Sequence, residues 1–162
     1  MEKGKYVLGL LRLSMGFIFL WAFADKLFGL GFSTAPDKSW LVGVSPTAGF
    51  LQFATHGPLT VFFQNLAGSG LIDWLFMLGL LFIGIALCIG IFVNLASTLG
   101  IVMLFLMYLA VGLSPANNPF IDDHLMYILI MFLFIFFDAG IYLGLGRRWN
   151  NTMLVKRYSI FK

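Results

Sequence analysis

Cysteine is nearly absent: Cys88 is the only one in 162 residues. One thiol cannot build an intrachain disulfide, a thiol relay or a cysteine-based metal cluster. Charge is equally scarce. Asp, Glu, Lys and Arg make up 10% of the chain, against about a quarter in an ordinary soluble domain. The sequence is instead 60% hydrophobic, with a mean hydropathy of +0.97. Such a chain is expected to be an all-α integral membrane protein.

Four apolar segments are long enough to cross a hydrocarbon core of about 30 Å at about 1.5 Å per helical residue. They run from Tyr6 to Phe28, Trp74 to Val93, Leu95 to Gly112 and Leu125 to Leu145. The expected architecture is a four-helix bundle forming one membrane domain over residues 1–162, since the intervening segments are too short for a second domain. A signal peptide is disfavoured, because the first apolar run has full spanning length and no A-x-A-like site follows it. Asn94 leaves almost no connection between the second and third spans, making them antiparallel neighbours. Ala86 with Gly90, Ala96 with Gly100 and Gly140 with Gly144 offer small-residue spacings for close helix approach.

The net charge of +3 does not point to nucleic acid, because the basic residues cluster at the two ends. Lys3, Lys5, Arg147, Arg148, Lys156, Arg157 and Lys162 lie outside the spans, whereas the connections after the first and third spans hold only Lys38, with Lys26 at the border. This asymmetry predicts a multi-pass protein of the cell membrane with both termini, and the basic tail 147–162, in the cytoplasm. The lipid bilayer, with its anionic headgroups, is the first expected partner. The outer segment 29–73 should carry short interfacial helices. Ser45-Pro46 reads as a helix start, Gly57-Pro58 as a break, and Leu59 to Ala67 as a restart. An apolar loop packed on the bundle is the plainer alternative.

Ionisable residues inside spans are costly and normally face the interior with a partner. Arg12 and Asp138 are each about two turns from the same membrane face. Fourteen residues separate Arg12 from Lys26, and fourteen separate His124 from Asp138, so each pair falls within about 40° of one helix face. If these faces meet, Arg12 opposes Asp138 at one end while Lys26 opposes Asp123 and His124 at the other. Arg12 with Asp138 is then a structural ion pair that sets helix register. The competing reading makes Arg12 a ligand for an anionic or quinone-like head group. Asp25 is turned about 140° from Arg12 and need only mark the outer edge.

The most polar stretch, SPANNPFIDDHLMY at 114–127, combines a turn with a helix start. Pro115, Asn117, Asn118 and Pro119 make the turn, and one aspartate serves as N-cap. The second aspartate and His124 remain for function. Asp122, Asp123 and His124 are adjacent, a poor arrangement for converging on one metal ion, and the only other histidine is His56. No metal site, bis-histidine haem site or Ser/His/Asp set is assigned. A proton relay or substrate site is the better reading, with His124 titrating near neutrality and its carboxylate neighbours tuning it.

Three stretches together, LLRLSMGFIFLWAFADKLFGLGF at 10–32, GSGLIDWLFMLGLLFIGIALCIGI at 68–91 and NNPFIDDHLMYILI at 117–130, resemble the DoxX/DoxD family of small four-helix membrane proteins. DoxD is the membrane subunit of thiosulfate:quinone oxidoreductase. The resemblance implies a membrane redox setting with quinone as a candidate cofactor, His124, Asp123 and Asp122 as catalytic candidates, and Arg12, Lys26 and Asn118 as substrate-binding candidates. A cysteine-based branch of similar proteins is disfavoured because Cys88 stands alone.

Three function classes follow. The first is an oxidoreductase subunit whose bundle holds quinone or a lipid-like substrate. The second is a non-catalytic anchor or assembly subunit of a larger complex, with other protein subunits or further copies of the chain as partners. The third is a small-molecule transporter, which needs an oligomer because four helices make a narrow bundle.

Overall fold

The computed structural model describes residues 2–112 and 119–158. Within them every regular element is helical. Three helices are long and apolar enough to cross a membrane. They are α1 (Glu2–Phe28), α4 (Gly70–Ile89) and α5 (Val93–Ala110). Between α1 and α4 lie two short 3-10 turns and two short helices, α2 (Ala48–Phe53) and α3 (Thr60–Gln64). After α5 come α6 (Asp123–Phe136), a 3-10 turn at Ala139–Ile141, α7 (Gly146–Trp149) and α8 (Met153–Arg157).

The expected turn at Asn94 is displaced. Helix α4 begins at Gly70 and stops at Gly90, whose φ of 83° is left-handed and whose N–H returns to Ala86 O at 2.8 Å. Glycine meets this conformation without the penalty a Cβ would bring. Phe92 is also left-handed, with φ 56°, and Asn94 falls inside α5. Because the turn is itself made of apolar residues, hydropathy runs through it unbroken.

The expected single span 125–145 is divided. Helix α6 holds 14 residues, about 21 Å of axis, and ends at Phe136. Asp138 and Leu143 then take left-handed φ values of 48° and 51°, enclosing an irregular segment before α7. Non-glycine residues in this region cost about 1 kcal/mol or more each. They persist only where surroundings hold them.

Helix α1 packs on α4, α4 on α5, and α5 on α6, and α1 closes the arrangement by touching α6 and the 3-10 turn after it. The central residues are Met15 and Phe19 from α1, Met77, Ile83 and Leu87 from α4, Ala96 and Leu104 from α5, and Met131 and Phe134 from α6. Helices α1 and α4 approach closely at two glycines, where Cα hydrogens replace side chains. A Cβ on Gly16 would stand 2.9 Å from Cys88 N, and one on Gly84 2.8 Å from Leu20 N. Of the expected small-residue spacings, Gly100 does receive a neighbour, Met131 of α6, whereas Gly90, Gly140 and Gly144 lie in turns rather than on helix faces.

The segment between α1 and α4 is tied down at several points. Asp73 at the start of α4 accepts from Ser45 Oγ at 2.8 Å and Thr47 Oγ1 at 2.5 Å. Ser45 Oγ also accepts from Ala48 N at 3.1 Å, which starts α2. His56 N donates to Ala110 O at 3.0 Å, and Trp40 packs edge-on against Trp74 with centroids 4.6 Å apart. Yet Phe53, Val61 and Phe62 stay exposed on α2 and α3, an apolar face suited to the interfacial placement expected from the sequence.

Gly84→Ala should lower the stability of the detergent-solubilised protein by about 2 kcal/mol, because the methyl meets the backbone N of Leu20 as well as the base of its side chain. Gly49→Ala, with open space around it, should leave the melting temperature unchanged or slightly raised. Equal effects of the two substitutions would contradict the α1/α4 contact described here.

Candidate functional site

Arg12 sits in the middle of α1 and is fully buried. Its guanidinium carries five N–H donors in a planar fork. Nε donates to Ala139 O at 3.2 Å, and Nη2 donates to Tyr142 O and Leu143 O, both at 3.0 Å. Nη1 donates to Leu87 O and to Cys88 O, the latter at 3.3 Å. All of these acceptors are backbone carbonyls: Leu87 O and Cys88 O lie at the end of α4, Tyr142 O and Leu143 O in the irregular segment after α6, and Ala139 O also takes the Tyr142 N–H at 3.2 Å. The last four carbonyls of an α-helix lack intrahelical partners. In α4, Ala86 O takes the Gly90 N–H, Leu87 O and Cys88 O take Arg12, and Ile89 O takes Leu145 N at 2.9 Å.

The expected Arg12–Asp138 register pair therefore takes another form. Among the described residues, the guanidinium meets the chain from Ala139 onward, through carbonyl oxygens, rather than through the Asp138 carboxylate. The partner of the guanidinium is the break in the helix itself. Three glycines make room for it: a Cβ on Gly144 would stand 2.8 Å from Arg12 Nη2 and 2.9 Å from Gly140 O, and one on Gly90 2.9 Å from Gly140 O. With its donors engaged in this way, Arg12 has little capacity left for a substrate head group.

The opposite end of the bundle holds the remaining sequence candidates. Asp122 is the N-cap of α6, accepting from Leu125 N at 3.0 Å through Oδ1. Its other oxygen, Oδ2, lies 2.6 Å from His124 Nδ1. One aspartate thus does both jobs: it starts the helix and orients the imidazole. Asp123 is exposed and Asn118 lies outside the described residues. Burial disfavours the Asp122 carboxylate, but the Leu125 N–H and His124 hydrogen bonds outweigh it and hold Asp122 below the ordinary aspartate value. An ionised Asp122 is an acceptor only, so Nδ1 carries the proton and donates. Nε2 is left as the nitrogen that can take or give a proton, and the side chain is 21% exposed.

Lys26 does not pair with Asp123 or His124 among the described contacts; its Nζ lies 3.4 Å from Ser33 Oγ. Asp25, expected only to mark the edge, is 1% exposed. It accepts from Phe32 N at 3.1 Å, Ser33 N at 3.0 Å and Ser33 Oγ at 2.7 Å. These bonds fold residues 29–33 back onto the end of α1. The Asp25 loop and the Asp73–Ser45–Thr47 network went unread in the sequence, since their partners are ordinary serines, threonines and backbone groups with no spacing signature. The one available signal was a carboxylate at the end of an apolar run, a costly position unless something satisfies it.

Among the described residues no three His, Cys, Asp or Glu side chains converge to hold a metal ion. No protein-family model matches the chain, and no curated protein or solved structure matches it.

Arg12→Leu should cost at least about 3 kcal/mol of stability, because the orphaned carbonyls belong to the backbone and cannot be removed with the charge. Arg12→Lys should recover only part of it, a compact ammonium being unable to bridge both helix ends. Melting in detergent would check both, and a wild-type transition in either variant would contradict the assignment. The Asp122 contribution has the opposite dependence from a raised histidine. With its folded pKa lowered, it is fully present above the ordinary aspartate pKa of about 4 and fades as pH falls through the lower folded value. Asp122→Asn should accordingly flatten the stability profile below about pH 4, as read from melting temperatures across pH 3 to 6.

Proposed function

We propose that the chain is a membrane subunit of a quinone-linked oxidoreductase system of the DoxX/DoxD type. In this reading α6 and the segment to Leu145 together make a fourth crossing. Arg12 satisfies the irregular backbone at membrane depth, the condition under which such backbone is tolerated there. The protein lies in the cell membrane with both termini cytoplasmic, as the distribution of Lys and Arg favours. His124 and Asp122 then stand at the outer face, where they would pass on the two protons that accompany two electrons from a thiosulfate-type donor when a quinone is reduced. The observation that carries this is the 2.6 Å contact between His124 Nδ1 and Asp122 Oδ2. It engages Nδ1 and leaves Nε2 as the nitrogen not bound to Asp122.

A second reading, a non-catalytic anchor or assembly subunit, is favoured by a different observation. The most costly residue in the bundle, Arg12, is engaged by backbone carbonyls and serves architecture. On this reading a soluble partner supplies the redox chemistry.

The two are separated by assaying reduction of a soluble quinone analogue in membranes containing the chain and its copurifying partners. His124→Gln should lower kcat about 100-fold or more, with complex assembly intact, and Asp122→Asn should shift the pH–rate profile. Unchanged rates in both variants, with a stoichiometric flavin-, metal- or thiol-bearing partner retained, would overturn the first reading in favour of the second.

A further inference from the structure

Residues Arg147 and Arg148 border a recess of about 470 Å³ whose remaining lining is Ile141, Gly144 and Leu145. Two guanidinium groups and no carboxylate line it. Among the described residues neither Arg147 nor Arg148 has a side-chain partner, although each stands on fixed backbone. Leu145 N is bonded to Ile89 O, and Arg148 N to Leu145 O at 3.0 Å. Asn151 Nδ2 donates to Arg147 O at 3.1 Å, and Trp149 packs on Phe92 with centroids 4.6 Å apart. Ile141, Gly144 and Leu145 of its lining belong to the same irregular segment that Arg12 grips through Tyr142 O and Leu143 O. Two cations are therefore presented on a rigid frame, with their own charge unanswered.

The surroundings select the occupant. Leu145, which lines the recess, is 51% exposed, and Leu143, two residues before it in the chain, is 47% exposed. A soluble anion has no use for this apolar rim. A phospholipid does: its phosphate matches the guanidinium forks, its glycerol region fits the recess, and its acyl chains continue along the exposed leucines. From this we infer that the recess is a binding site for the headgroup of an anionic phospholipid, drawn from the leaflet that meets the end of the last apolar segment. The inference rests on the chain spanning a membrane, but not on any redox role. A basic pocket of this kind gives preference for anionic over zwitterionic lipid, each basic group near the surface strengthening the attraction.

Native mass spectrometry of the full chain, released from nanodiscs of equal parts phosphatidylglycerol and phosphatidylcholine, tests this directly. Retained phosphatidylglycerol should exceed phosphatidylcholine on the wild-type protein, and Arg147→Gln with Arg148→Gln should reduce that excess roughly tenfold. Both side chains are exposed, so folding should be unaffected, which matching melting curves would establish. Lys156→Gln, on α8 away from the lining, should leave the excess in place. No preference in the wild type, or the same preference in the double variant, overturns the assignment. Displacement of the lipid by millimolar inorganic phosphate overturns it in favour of a soluble anion. Failure of the chain to enter nanodiscs would instead refute the membrane reading on which it rests.

Discussion

A single buried guanidinium organises one half of this molecule. Arg12 draws together the end of α4 and the unwound segment after α6, two places where helical carbonyls lose their own partners. The stabilisation has an unusual source. A buried ion pair can be replaced by hydrophobic residues of similar volume, because both charges disappear together. Here the acceptors are peptide groups, present whatever the side chains are. The positive charge is matched by peptide dipoles, most of them at a helix end or break, so cation and helix break each make the other tolerable.

That arrangement also explains the local glycines. Gly90, Gly140 and Gly144 lie around the guanidinium, where a Cβ on Gly144 would occupy the space Arg12 uses. The left-handed Asp138 and Leu143 frame the same segment. Apolar packing alone would not select this shape, since lipid tails are as apolar as the helix faces they would replace. Polar satisfaction and close backbone approach decide it.

The other half follows a different logic. There, carboxylates at helix ends fold the connecting chain over the bundle. Asp25 binds the loop after α1, Asp73 gathers Ser45 and Thr47, and Asp122 begins α6 while orienting His124. In the first two, the carboxylate is consumed by structure. In the third a titratable nitrogen is left over, and this leftover separates a candidate site from an architectural one.

The sequence by itself determined that the chain is helical and apolar enough for a membrane, that Arg12 had to find partners, and that an aspartate before α6 would cap it. Each follows from local composition, from the cost of burying charge, or from capping chemistry that needs no distant residue. It put the turn between α4 and α5 at Asn94 rather than at Gly90–Phe92, because that turn is built from apolar residues, and it did not reveal the end of α6 at Phe136, because hydropathy continues through Leu145 without change. Helical-wheel geometry put Asp138 opposite Arg12, assuming an unbroken helix. Only the tertiary structure could show that the backbone leaves the helix there and offers carbonyls instead. A carbonyl's availability depends on whether its own hydrogen bond has been made, and that is settled by the fold as a whole.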